Sequence, residues 1–168
     1  MTATRTHTRT TTPRQPLPVK LAIGLLGFLG VTALGGGVEL TFGILGTDQF
    51  PADWLDRIPL IDSWVLPGLV LGIGFGLGSL LVGYGLLRRP RWPWLAGFER
   101  LTGHHWSWAA TVLIGLGHIG WILLEVAYLP ALSPLELLYG GIGVALVLLP
   151  LLAPARTALA TAPARMEV

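Results

Sequence analysis

Two segments of this sequence place polar and ionisable side chains at seven-residue spacing inside apolar runs. One holds His104, Thr111, His118 and Glu125; the other holds Thr32 and Glu39. Seven steps of about 100° return to within about 20° of the start, so on a helix each set shares one slowly drifting face. Trp121 borders the longer set, and His105 points away from it. A carboxylate and an imidazole held in an apolar run can pass a proton as an acid–base pair or orient a polar ligand.

Other chemistries are less well supplied. His104 and His118, fourteen residues apart, have the spacing of one helix of a two-haem cytochrome b, which needs partner histidines on a second helix. The remaining histidines are His7 and His105, so only a dimer would complete a haem-binding membrane protein. Zinc hydrolysis needs about three converging ligands. His118, Glu39 and Glu125 are the set on offer, without HExxH spacing, so neither a metal nor a cofactor is expected. Ser79 stands in a glycine row with no base nearby, and Ser107 and Ser133 begin helices. The GxG repeats fall within apolar helices, not in a phosphate-binding loop. The absence of cysteine removes disulfides, thiolate metal sites and a cysteine nucleophile.

The segments that must position these residues are four apolar runs at roughly 21–45, 64–87, 107–129 and 135–153. Each reaches about the 20 residues needed to cross a bilayer. Of the 168 residues 52 % are hydrophobic and 12 % charged, about half the charged share of a soluble domain. Backbone in lipid must satisfy its own hydrogen bonds, so such runs are helices. The expected fold class is all-α, a polytopic membrane four-helix bundle over 19–153. Disordered tails are expected over 1–18, rich in Thr, Arg and Pro, and over 154–168. Residues 21–33 also fit a signal-peptide hydrophobic region ending at Val31-Thr32-Ala33. Apolar character continues through Leu45, however, and the basic tail is long, so span one reads as uncleaved.

Of the eleven lysines and arginines, all but Arg57 fall in the N-terminal tail, the connection after span two, or the C-terminal tail. The positive-inside rule then puts both termini in the cytoplasm of a bacterial plasma membrane, with the 46–63 loop and the turn near Pro130 outside. The net charge of +2 comes from these flanking groups, which read as topology signals and not as nucleic-acid contacts. Trp54 in the outer loop, and Trp92 and Trp94 beside Arg88, Arg89 and Arg91 in the inner connection, suit interface anchors at the lipid headgroups. Ser133-Pro134-Leu135-Glu136 matches a capping box with proline at N1, which gives Glu136 a structural task.

Gly68, Gly72 and Gly76 recur at four-residue spacing, a row that lets helices approach closely. Packing within the chain is the favoured use, and contact with other membrane proteins the second. Gly35-Gly36-Gly37 marks a kink, a tight crossing, or a break that bares backbone to a cavity. At about 1.5 Å per residue, Thr32 and His118 lie near mid-membrane and Glu39 and Glu125 near the outer boundary. Spans one and three therefore carry matching polar levels, and they are expected to face each other around one polar site.

The segments ALGGGVEL and LPGLVLGIGFGLGSLLVGYGLL, with GWILLEV and LYGGIGVALVLL, resemble small bacterial four-span integral membrane proteins of unassigned function. The resemblance covers most of 30–150 and implies a fold and a location, not an activity. Thr47-Asp48-Gln49 stands where such proteins carry an acidic Asp-Pro-type stretch. The leading functional expectation is a non-enzymatic accessory or interaction subunit, or a small carrier using Glu39, His118 and Glu125, with no catalytic residue assigned. The second is a membrane enzyme that uses a Glu/His pair on a lipid or quinone.

Overall fold

The computed structural model describes residues 15–44, 52–59, 61–129 and 133–161. Its helices are α1 (Leu17–Phe42), α2 (Val65–Arg88), α3 (Ala96–Thr102), α4 (Trp106–Tyr128), α5 (Pro134–Leu151) and α6 (Ala153–Leu159). Short 3-10 turns occupy Ala52–Arg57 and Pro93–Leu95. Among the described residues there is no strand, only one isolated bridge between His104 and Ala160.

The helices α1, α2, α4 and α5 are long and apolar enough to cross a membrane. The shortest has 18 residues, which at about 1.5 Å each comes close to the roughly 30 Å of a hydrocarbon core. Their outward faces carry large exposed apolar side chains, among them Val31, Ile73, Leu113, Leu123 and Leu137. A surface this apolar on every helix is one that faces lipid. The chain is thus an all-helical, multi-pass membrane protein.

Local chemistry sets the helix ends. Gly43 closes α1 in the left-handed region at φ 61°, and its N–H donates to the Glu39 carbonyl at 2.7 Å. Arg89 closes α2 in the same region at φ 51°, ahead of Pro90. A non-glycine residue there is strained. The Arg89 guanidinium is held by donating to the Ala158 carbonyl at 2.9 Å. The expected capping box opens α5: Ser133 N–H donates to Glu136 Oε2 at 2.6 Å, and Leu135 N–H donates to Ser133 Oγ at 3.2 Å.

Helix α1 packs on α2 and α5, and α4 packs on α5 and α2. The four spans therefore run in the ring α1–α2–α4–α5, which leaves α1 and α4 on a diagonal. Val19, Ala22, Leu26, Leu29 and Ala33 form the seam of α1 at alternating spacings of three and four. They meet Val82 and Leu86 of α2, Leu146 of α5, and Trp106 in a core displaced toward the end where both termini lie.

That end is more ordered than the sequence suggests. The stretch from 154, expected as a disordered tail, begins with α6, whose Ala155 and Leu159 are 1 % and 2 % exposed and belong to the core. Pro154 lies in the first turn, where its missing N–H costs nothing. Ala155 and Leu159, one turn apart, then present a single apolar face. Further out, Thr161 N–H donates to the Gly103 carbonyl at 3.0 Å. The outermost tails, 1–14 and 162–168, lie outside the described residues, as do Thr47-Asp48-Gln49 and the turn at Pro130.

The three consecutive glycines do not break α1. Gly37 instead makes a tight crossing: a Cβ there would come within 2.5 Å of Gly72 Cα and N. Gly76 lies under Leu34 in the same way, so the row Gly68, Gly72, Gly76 is covered by α1. That is the intramolecular use. Residues Val70–Leu77 of α2 adopt a π-helical turn, a widening that the sequence does not announce.

Candidate functional site

The structure distributes the polar residues of the spans instead of gathering them. With α1 and α4 on a diagonal, the expected face-to-face pairing of spans one and three is replaced by contacts with α2 and α5. Thr32 donates to its own helix at the Phe28 carbonyl, 2.9 Å, and Thr111 donates to the Ser107 carbonyl at 2.7 Å. Both hydroxyls are satisfied locally, as is common for threonine in membrane helices.

His118 is 2 % exposed. Its ring meets Phe75 edge-on at 5.2 Å and Tyr139 at 5.8 Å, which closes it in from α2 and α5. Neither of its nitrogens has a hydrogen-bond partner among the described residues. Glu125 lies one turn beyond Trp121 and accepts from the Trp121 indole N–H at 2.8 Å. The π-helical turn of α2 carries Phe75 to both His118 and Trp121, the latter at 6.0 Å.

Glu39 has a different setting. It is 8 % exposed and lines a cavity of about 270 Å³ at the end of the bundle away from the termini. The other walls are Leu40, Thr41, Phe42 and Gly43 at the close of α1, and Trp64 and Val65 at the start of α2. Thr41 donates its hydroxyl to the Gly37 carbonyl at 2.7 Å. Glu125 is not in this wall.

His104 is the second departure from the expected stripe. It precedes α4, donates from Nδ1 to the Thr102 carbonyl at 2.7 Å, and stacks on Trp108 at 4.5 Å. It therefore shares no helix face with His118, which removes the geometric basis of the two-haem reading. Among the described residues no three of His, Asp and Glu converge to hold a metal.

The residue that sequence reasoning passed over is His105. It is 7 % exposed and serves as the N-cap of α4. Its Nε2 lies 3.1 Å from the Pro90 carbonyl, which can only accept, so Nε2 bears the proton. Nδ1 then accepts, from the Ser107 hydroxyl at 2.8 Å and the Ser107 N–H at 3.4 Å. Glu99 caps the next N–H, that of Trp106, at 3.1 Å and lies 3.7 Å from Nε2. The Ser–His–Glu order resembles a nucleophilic triad. Ser107, however, is fully buried against Gly85, so no substrate reaches it. The cluster is a helix cap. Its only sequence signal was Gly103 before His104-His105-Trp106-Ser107, a helix stop followed by a start.

Of the anchors, Trp54 is half-buried in its 3-10 turn, and Trp94 is exposed. Trp92 stacks between Trp94 and Trp106, with centroids at 5.6 and 4.8 Å. Arg88, Arg89 and Arg91 are exposed at the same end. No protein-family model, curated protein or solved structure matches this chain.

Proposed function

We propose that this chain is a non-enzymatic component of the bacterial plasma membrane, with both termini cytoplasmic, that binds a ligand or partner at its outward end. The observation that carries this reading is the Glu39 cavity, walled by the close of α1 and the start of α2. A carrier needs polar groups that continue from such a mouth toward the other side. Here Thr32 and Thr111 bond to their own helices, and His118 is enclosed by aromatic rings. An acid–base enzyme needs its pair within reach of one substrate, and the buried histidine and glutamate of the spans have separate surroundings.

The arginine and lysine asymmetry supports the orientation. The chain has no cysteine, so single replacements report their side directly. A membrane-impermeant maleimide is expected to label Asp56→Cys in intact cells, and Arg165→Cys only after permeabilisation. The reverse pattern inverts the topology.

The binding role is tested in proteoliposomes under an imposed proton or sodium gradient. The expected flux equals that of protein-free vesicles for both the parent and Glu39→Gln. A flux that the parent supports and Glu39→Gln abolishes overturns the reading in favour of a carrier.

A further inference from the structure

The connection between α2 and α4 presents a helix face that no described part of the chain covers. The turn Pro93–Leu95 runs directly into α3, and Trp94, Phe98 and Leu101 recur along it at spacings of four and three. They are 75 %, 38 % and 84 % exposed. The neighbouring row turns inward: Leu95 packs on the core, and Glu99 accepts from the Trp106 N–H. This segment therefore directs its carboxylate into the bundle and its largest apolar side chains outward, the reverse of a helix that faces water.

Arginines flank the apolar stripe. Arg88 and Arg91 precede it and Arg100 lies within it, all three exposed. Among the described residues none of the three is in an ion pair. Glu99, the one carboxylate in the connection, already caps α4. The turn that bears Arg88 and Arg91 is fixed, because the Arg89 guanidinium donates to the Ala158 carbonyl and the Trp106 indole N–H donates to the Pro90 carbonyl at 3.1 Å. Trp94 is fixed as the outer ring of a stack that runs through Trp92 to the buried Trp106. The cationic and aromatic groups are thus held in place before anything binds.

Depth and charge together identify the occupant. Helix α2 has 24 residues, about 36 Å of rise against roughly 30 Å of hydrocarbon, so its last turn emerges among the headgroups. An exposed apolar stripe at that level is covered by the acyl–headgroup boundary, which tryptophan also favours. The positive charge beside it is complementary to an anionic headgroup and has no net counterpart in a zwitterionic one.

We propose that the 88–102 surface is a binding site for anionic phospholipid. Trp94, Phe98 and Leu101 enter the acyl–headgroup boundary, and the guanidinium groups of Arg88, Arg91 and Arg100 donate to the headgroup phosphate.

The test uses the full chain in phosphatidylcholine vesicles that carry a trace of spin-labelled phosphatidylglycerol or of spin-labelled phosphatidylcholine with the same acyl chains. The readout is the fraction of each label motionally restricted on the protein. Phosphatidylglycerol is expected to associate about five-fold or more tightly at low salt, and the preference is expected to shrink as salt is raised. Arg88→Gln combined with Arg91→Gln is expected to bring the two lipids to within about two-fold of each other. A nitroxide on Leu101→Cys, the single cysteine of that variant, is expected to be relaxed more by oxygen than by a water-soluble nickel chelate. Equal association of the two lipids with the parent protein overturns the proposal, whether or not the variants fold. A preference that the double variant retains in full also overturns it, because the lipid is then held elsewhere. A nitroxide at 101 relaxed mainly by the chelate places the stripe in water, overturns the proposal and leaves that face to a protein partner.

Discussion

The two ends of the bundle are closed by different means. At the termini end, loops and short helices are tied by hydrogen bonds: His105 to Pro90 and Ser107, Glu99 to Trp106, Arg89 to Ala158, Thr161 to Gly103. These bonds pair the polar groups of that layer with one another, and the apolar core lies directly beneath it. At the far end α1 and α2 stay in close contact, Gly37 against Gly72 and Thr41 against Gly68, and Glu39 lines a cavity beside that contact. The comparison teaches where function can reside. An end whose donors and acceptors satisfy one another offers a ligand little beyond its surface charge. An end with a cavity in its wall offers a walled space.

The largest expected effect is at the far end. Gly37→Ala places a Cβ 2.5 Å from backbone atoms of Gly72, which cannot swing aside as a side chain would. It should destabilise the bundle by about 3 kcal/mol or more, read as a drop in thermal midpoint in detergent. Gly35→Ala has nothing within 4 Å of the new Cβ and should instead raise stability by about 0.5–1 kcal/mol. Equal effects from the two would remove the crossing as the closure of that end.

A smaller loss is expected at the termini end. His105→Ala leaves the Ser107 hydroxyl and the start of α4 without their acceptor and should cost about 2–3 kcal/mol. A neutral result would mean that the hydrogen-bonded layer does not hold that end together. The smallest change, of opposite sign, belongs to the histidine between the two ends. His118→Leu replaces an imidazole enclosed by Phe75 and Tyr139 with an apolar side chain of similar size. It should be neutral or stabilising by about 1 kcal/mol in the same unfolding experiment. A large loss of stability there would show that His118 has a polar task.

Much of the architecture was legible before any coordinates. The spans at roughly 21–45, 64–87, 107–129 and 135–153 fall within a few residues of α1, α2, α4 and α5, because apolar length alone forces a helix in lipid. The capping box at Ser133 and Glu136 was equally plain, since its donors and acceptors are close in sequence. The candidate site was only partly legible. The spacing of Thr32 and Glu39 drew attention to Glu39, but periodicity says which residues share a face, not which helix that face meets. His104 left the stripe because Gly103 ends α3 in the left-handed region and α4 begins two residues after His104.

What the sequence by itself determined is the four spans and the cap of α5, for these depend on local composition, length and neighbouring hydrogen bonds. The tertiary structure decided the rest. It set α1 diagonal to α4, so that two polar stripes at matching depth lie in separate surroundings. It turned Gly37 toward Gly72, which decides that the glycine triplet is a crossing and not a break. It brought Glu39 at the close of α1 and Trp64 at the start of α2 to the wall of one cavity. The physical reason is common to all three. Contacts between distant segments depend on how whole surfaces fit, and no local pattern encodes that fit.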